Sequence, residues 1–319
     1  MRERRGPDRV TRVGAVDCGT NSVKLLVTDL DVATGTQRDL ARELRIVRLG
    51  EGVDRTGRIS QPAMDRLLAA LEEYAAILAV HDVARLRFVA TSAMRDAENA
   101  DLLVAGVRER LGVDPEVVTG DEEAALSYDG ATRSLPSLPA PVVLVDIGGG
   151  STEVVLGGPD GRVAAARSLD LGSVRLTERL MPSDPPTRAE VEAAVAVVDR
   201  ALDTLCEHGV HVETARTVVG VAGTVTTLAT LLLGSRTWDR DRVHGRAFPA
   251  PAVHELAGRL LAMTVREREA LGVPTGRSDV VGAGAVLLDR LLARTGAETL
   301  TVSDADILDG IAWSLATRP

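Results

Sequence analysis

Asp17-Cys18-Gly19-Thr20-Asn21-Ser22 reappears later in the chain as Asp146-Ile147-Gly148-Gly149-Gly150-Ser151. Each copy stands between two apolar runs, which predicts a strand, a tight turn and a second strand. The runs before the copies are residues 13–16 and 142–145, and those after them are residues 23–27 and 154–156. The duplication predicts two similar lobes that hold one ligand between them.

The two loops carry the chemistry of an anion site. Glycine lets the backbone approach a ligand, and successive N–H groups with Ser and Thr hydroxyls form a nest for phosphate. The leading aspartates, Asp17 and Asp146, would repel phosphate and therefore fit a place beside a divalent cation or its water. Two ordinary glycine-rich hairpins are the alternative. The candidate phosphate-binding residues of the loops are Gly19, Thr20, Asn21, Ser22, Gly148, Gly149, Gly150, Ser151 and Thr152.

Composition limits the partners and the location of the chain. Its 319 residues are enough for two domains with full cores. Aromatic residues make up 2% and the net charge is −9, which argues against binding to nucleic acid or to an anionic membrane. The charged start, residues 2–7, does not resemble a signal peptide, and no stretch is long enough to span a membrane. We expect a cytoplasmic protein with free thiols at Cys18 and Cys206.

The hydrophobic pattern predicts an α/β protein in which each half opens with three strands. The predicted strands are about 12–17, 23–30, 42–49, 85–91, 116–119, 142–146, 152–157, 163–169, 216–221 and 298–302. The predicted helices include 61–80, 97–111, 121–133, 173–181, 187–208 and 304–317.

The expected domain organisation follows from the proline-rich stretch 135–141, which forbids regular structure. We expect a disordered tail over residues 1–11, an N-terminal lobe over 12–134 and a C-terminal lobe over 135–303. The last helix, 304–319, is a candidate to pack back on the N-terminal lobe.

Lys24 is the only lysine among 37 basic residues and follows the first loop by two positions. A compact ammonium there suits a phosphate ligand, although a lysine on a solvated strand face is an equal alternative. In the second copy the same position holds Glu153.

Three further segments follow predicted strands. Residues 91–96 place Ser92 and Arg95 where phosphate clefts commonly carry hydroxyls and arginine, although a helix cap explains them too. Gly223 and Thr224 open a helix that can hold an anion, or they serve close packing. Glu123 lies in the first turn of a helix that leads into the second half. It could orient a water, although acidic first turns are common.

Together these motifs resemble the exopolyphosphatase/guanosine-pentaphosphate phosphohydrolase (Ppx/GppA) family, over nearly the whole chain from about residue 12. The matching segments are 17–22, 90–99, 120–124, 146–153, 171–176, 222–224 and 277–279. The resemblance implies duplicated RNase H-like domains of the actin/sugar-kinase/Hsp70 (ASKHA) superfamily with an interdomain cleft.

The resemblance also implies hydrolysis of a terminal phosphoanhydride that depends on Mg²⁺, for which Mn²⁺ can substitute. It makes Glu123 the base that activates water, Glu153 the second acidic catalytic residue, and Asp146 a metal ligand, with Asp17 and Glu153 as further candidates. The implied substrates are inorganic polyphosphate and pppGpp, the latter linked to the stringent response. Longer members continue into helical domains, so we expect this short form to favour short polyphosphate.

Two alternatives stay open at this point. One is a non-catalytic regulator that binds a nucleotide or alarmone, and the other is a small-molecule kinase on the same fold. The oligomeric state is also open, a homodimer being one option.

Overall fold

The computed structural model describes residues 10–317, which form two α/β lobes around a cleft. The first sheet contains β1 (Val10–Cys18), β2 (Ser22–Asp31), β3 (Thr36–Ile46), β4 (Leu86–Ala90) and β5 (Glu116–Val117). The second sheet contains β6 (Val142–Ile147), β7 (Thr152–Gly157), β8 (Val163–Leu169), β9 (Thr217–Val221), β10 (Ala247–Pro249) and β11 (Thr299–Val302).

Helices cover the sheets and connect their strands. They are α1 (Val53–Thr56), α2 (Gln61–Val80), α3 (Ser92–Arg95), α4 (Ala100–Leu111), α5 (Gly120–Arg133), α6 (Ser173–Leu180), α7 (Arg188–Asp203), α8 (Ala222–Leu232), α9 (Arg240–Val243), α10 (Ala250–Leu261), α11 (Val265–Leu271), α12 (Val281–Thr295) and α13 (Ile307–Thr317). No helix among residues 10–317 is long and apolar enough to cross a membrane.

The two sheets share one topology. The first has the order β3-β2-β1-β4-β5, and the second reads β8-β7-β6-β9-β11 with β10 added at its edge. In both, three antiparallel strands are followed by two strands that run parallel to the first. The expected duplication and the two-domain ASKHA fold are confirmed.

Two helices cross between the lobes. Helix α13 packs on the first sheet, with Trp313 in a cluster that includes Val13, whereas α5 packs on the second sheet through Tyr128. A Cβ on Gly130 would lie 2.0 Å from the Asp306 carbonyl oxygen, so the backbones approach where glycine leaves room. This crossing brings the first turn of α5 to the cleft. The lobe boundaries themselves stay a prediction.

Some element limits differ from those predicted. Strand β3 begins at Thr36, not near residue 42, because it is an edge strand, half-buried along most of its length, without a clear alternation. Strand β1 begins at Val10, inside the stretch predicted as a tail, and residues 1–9 lie outside the described part of the chain. Helix α13 begins at Ile307, where the Asp306 carboxylate accepts a hydrogen bond from the Leu308 N–H at 3.0 Å.

Candidate active site

The candidate site is a cleft between the two sheets, with about 760 Å³ of space that includes its opening to solvent. Most of the predicted site residues line it: Asp17, Gly19, Thr20, Asn21, Ser22, Lys24, Ser92, Glu123, Asp146, Gly148, Gly149, Ser151, Glu153, Gly223 and Thr224. The sequence therefore brings segments from both halves, more than 200 residues apart along the chain, to one place.

The two loops have the same hydrogen-bonded turn. The Gly19 N–H donates to the Ser22 carbonyl at 3.0 Å, and the Gly148 N–H donates to the Ser151 carbonyl at 3.0 Å. Among residues 10–317, the N–H groups of the cleft-lining positions 20, 21 and 149 have no hydrogen-bond partner. Unpaired donors presented by both lobes are what a phosphate nest requires. Phosphate binding by these loops stays a prediction.

The loops also contact each other. A Cβ on Gly149 would lie 3.0 Å from the Thr20 Cβ, and one on Gly150 would lie 2.6 Å from the Ser92 hydroxyl oxygen. The Thr20 and Ser92 hydroxyls share a hydrogen bond at 2.8 Å. Glycine is needed here because the two lobes approach within van der Waals distance.

Lys24 lies at the floor of the cleft in two ion pairs. Its ammonium is 2.7 Å from an Asp306 carboxylate oxygen and 3.0 Å from one of Asp17. Burial lowers the pKa of Lys24, but the charges of Asp306 and Asp17 outweigh it and hold the pKa above its usual value. The lysine is thus already neutralised, which differs from the predicted role of a free point charge for phosphate.

Three buried carboxylates face the same space. Burial, the largest cause, raises the pKa of Glu123 to about 7 and that of Asp146 to about 6. Burial also raises the pKa of Glu153 well above its usual range, and the charges of Glu123 and Asp146 add to this. The Ser127 hydroxyl donates to Asp146 and the Ser168 hydroxyl donates to Glu153. Burial of three neighbouring carboxylates therefore favours their protonated forms more than water would.

The carboxylates fit a partial metal shell. No three acidic, His or Cys side chains among residues 10–317 are placed to hold an ion on their own. Mg²⁺ commonly takes one or two carboxylates and completes its octahedron with water and phosphate oxygens. Asp146 and Glu153 are cross-strand partners on β6 and β7, so they suit that arrangement. Asp17 suits it less, because Lys24 occupies its carboxylate.

Three predicted phosphate ligands are not brought to the cleft lining. The Thr152 hydroxyl is fully buried and donates to the Leu171 carbonyl at 2.6 Å. Arg95 donates to the Glu123 carboxylate at 3.1 Å and to the Val118 carbonyl at 2.7 Å, so it orients Glu123. Gly150 contributes close packing, and its nitrogen lies against Gly172, where a Cβ would be 2.5 Å from it.

One charged residue at the cleft, Arg277, was not among the predicted ligands. Within the described part of the chain its guanidinium makes two long hydrogen bonds, 3.3 Å to the Gly223 carbonyl and 3.4 Å to the Thr227 hydroxyl. Burial lowers the pKa of Arg277, partly offset by the charge of Asp306. No carboxylate among the described residues lies within 4.0 Å of its guanidinium. In the sequence, Arg277 belongs to the family-matching segment 277–279. Its distance along the chain from the two loops gave no reason to place it beside them.

Comparisons with known proteins agree with this geometry. The sequence model of the Ppx/GppA phosphatase family matches residues 30–318. The chain is 47% identical to exopolyphosphatase 2 of Mycobacterium tuberculosis, over 96% of this chain and 99% of that protein. It is 31% identical to exopolyphosphatase 1 of the same species, over 94% of this chain and 87% of that protein.

Solved structures show the same similarity. An exopolyphosphatase-like protein superposes with a TM-score of 0.92 at 39% identity, over 96% of this chain and 98% of that one. The Ppx/GppA enzyme of Aquifex aeolicus superposes with a TM-score of 0.80 at 30% identity, over 96% of this chain and 99% of that one.

Proposed function

The chain belongs to the Ppx/GppA phosphatase family, and from this we propose that its cleft releases terminal phosphate from inorganic polyphosphate with the help of Mg²⁺. The enzyme is a hydrolase of phosphoanhydride bonds. One observation carries the proposal: the Glu123 carboxylate lines the same cleft as two nests of unpaired N–H groups, one from each lobe.

The protein contributes to the reaction by positioning the terminal phosphate and the attacking water and by neutralising negative charge. The N–H groups of the two loops hold the oxygens of the terminal phosphate, and Arg277 neutralises charge that develops on them. Arg95 fixes the Glu123 carboxylate, which accepts a proton as water attacks the terminal phosphorus. The new P–O bond forms in line with the breaking bridge bond, and the shortened chain leaves with the electron pair. When bound, Mg²⁺ at Asp146 and Glu153 offsets repulsion between the polyanion and the acidic site.

The raised pKa of Glu123 suits this role. A base with a pKa near the working pH combines a large ionised fraction with useful proton affinity. Arg95 keeps the carboxylate from being fully protonated in its buried place, since its charge and hydrogen bond lower a pKa that burial raises.

Short polyphosphate is the proposed preferred substrate, because one cleft of this size holds only the last few phosphates. Hydrolysis of pppGpp to ppGpp is the second candidate. A cavity of about 1160 Å³ adjoins the cleft and shares Lys24, Gly223 and Arg277 with it. Its walls include Leu44, Ile46 and Trp238, which offers an apolar place for a nucleoside. A link to the stringent response depends on this second activity.

A substrate panel tests the proposal. Phosphate release is compared for short polyphosphate, long polyphosphate, pppGpp and ATP, each with Mg²⁺ and again with EDTA. We expect the fastest release from short polyphosphate with Mg²⁺. Tight binding with no release would support a regulator, and transfer of labelled phosphate to ADP would support a kinase. A cytoplasmic location, consistent with the free thiols of Cys18 and Cys206, and a homodimer remain proposals.

A further inference from the structure

A second polar cavity lies outside the catalytic cleft, where helix α12 begins. It has about 560 Å³ of space, and its walls come from the segment after α6, from α11 and from the first turn of α12. Gly282 and Ala283 line it, and their N–H groups have no hydrogen-bond partner among residues 10–317. The residue that precedes the helix is Val280, which has no side chain able to cap these donors.

Arg268 supplies a second and independent feature of this cavity. Its side chain is 97% buried, being 3% exposed. Its Nε donates to the Leu260 carbonyl at 2.8 Å and one Nη donates to the Ser278 carbonyl at 3.0 Å, but the other Nη has no partner. That nitrogen lies beside Gly282, where a Cβ would be 3.4 Å from it. A buried, unpaired guanidinium N–H is costly and calls for an anionic acceptor.

The other walls of the cavity carry carboxylates that already have donors. Asp279 is paired with Arg48 at 2.8 Å, and Asp184 accepts from the Val265 N–H at 2.8 Å. Glu178 accepts from the Gly52 N–H at 3.1 Å. Their remaining lone pairs repel a fully ionised anion but accept hydrogen bonds from an acid hydroxyl. The cavity thus offers N–H donors for two or three oxygen atoms of a ligand, and carboxylate acceptors for one or two of its hydroxyl protons.

Hydrogenphosphate has this combination of groups, and sulfate does not because it carries no proton at neutral pH. We propose that the cavity binds orthophosphate in its protonated forms, separately from the catalytic cleft. Orthophosphate is the product of the proposed reaction, and in this respect the inference rests on the proposed function.

The cavity lies near the cleft, with one further space between them. An intermediate space of about 410 Å³ shares Thr20, Asn21 and Val280 with the cleft. The same space shares Thr177, Glu178 and Asp279 with the cavity at Arg268. The second position is therefore a neighbour of the loops, on a different side of the cleft from the apolar cavity beside Arg277.

The test measures binding without turnover. Orthophosphate is titrated into ¹⁵N-labelled full-length protein free of Mg²⁺ and polyphosphate, and the amide signals of Gly282 and Ala283 are followed. We expect saturable shifts of both signals with phosphate and none with sulfate or chloride at equal ionic strength. The measurement involves no hydrolysis. A protein that is inactive on polyphosphate can therefore still bind orthophosphate in this cavity, and an active protein can still lack the site.

Gly282→Ala is the discriminating variant, since removal of Arg268 would strip two backbone carbonyls of their donor and endanger folding. The added methyl stands between the Arg268 nitrogen and the ligand, and we expect about tenfold weaker binding, as for one lost charge-assisted hydrogen bond. Gly258→Ala on α10 is the matched control, because a Cβ there meets nothing within 4 Å. Unshifted Gly282 and Ala283 signals, an equal response to sulfate, or unchanged affinity in Gly282→Ala would overturn the proposal.

Discussion

Lys24 and Glu153 occupy the same position in the two copies of the hairpin. Lys24 faces Asp17 across β1 and β2, and Glu153 faces Asp146 across β6 and β7. In the first lobe the charge of the loop aspartate is therefore balanced by a lysine, whereas the second lobe presents a pair of carboxylates that suits a cation.

Lys24→Met should destabilise the fold more than it weakens substrate binding. The substitution leaves the buried carboxylates of Asp17 and Asp306 without their shared counter-charge, a loss of about 3–5 kcal/mol for broken buried pairs. Denaturant unfolding measures it. Arg12→Met, which breaks the exposed pair with Asp29, is the control and should lose about 1 kcal/mol or less. If both variants lost the same free energy of unfolding, the Lys24 ion pairs would contribute no more than an exposed pair, and this account of Lys24 would be wrong.

Glu123→Gln should stabilise the metal-free protein at pH 8. Burial raises the pKa of Glu123 to about 7, so the folded state binds this proton more tightly than the unfolded chain. That contribution is complete below the unfolded pKa and is lost as pH rises through about 7. A neutral Gln avoids the loss, and we expect a gain of about 1–3 kcal/mol at pH 8 that shrinks towards pH 5.

Thermal unfolding in EDTA at the two pH values provides the measurement. Asp121→Asn, an exposed residue in the same helical turn, is the control and should show no such pH dependence. A Glu123→Gln protein that is less stable than the parent at pH 8 would contradict the pKa direction.

The twin loops were predictable because their signal is local. Each is a short strand-turn-strand segment whose glycines and hydroxyls adjoin one another in sequence, and the repeat of 17–22 at 146–151 gave the duplication. Arg277, which lines the cleft, and Asp306, which pairs with Lys24, were not predicted as site residues, because packing of elements late in the chain places them there. Thr152 was misassigned because its strand position turns the hydroxyl towards the Leu171 carbonyl, which sequence proximity to the loop does not reveal.

Asp146→Asn should raise the Mg²⁺ concentration needed for half-maximal phosphate release by about tenfold or more, the scale of effects seen at metal sites. The amide keeps the shape and the contact with Ser127 but lacks the charge. Asp170→Asn, exposed on the same lobe, should leave the requirement unchanged. An unaltered Mg²⁺ dependence in Asp146→Asn would remove this carboxylate from the proposed metal site.

Hydrolysis of long polyphosphate should be distributive, because two loops grip only the last few phosphates and the described lobes offer one cleft. On a gel, the chains should shorten gradually and together. Full-length chains beside free phosphate, with nothing between them, would show a processive enzyme and contradict this expectation. Light scattering of the active species would then show whether a dimer extends the binding surface.

The most direct test of the central claim is the fate of water oxygen. Polyphosphate is hydrolysed with Mg²⁺ in ¹⁸O-labelled water, and the released orthophosphate is analysed by mass spectrometry. Attack by a Glu123-activated water on the terminal phosphorus predicts one labelled oxygen in each released phosphate. It also predicts that the rate falls by about 10² or more in Glu123→Gln but not in Asp121→Asn. Label found only in the remaining chain, or an unchanged rate in Glu123→Gln, would contradict the account.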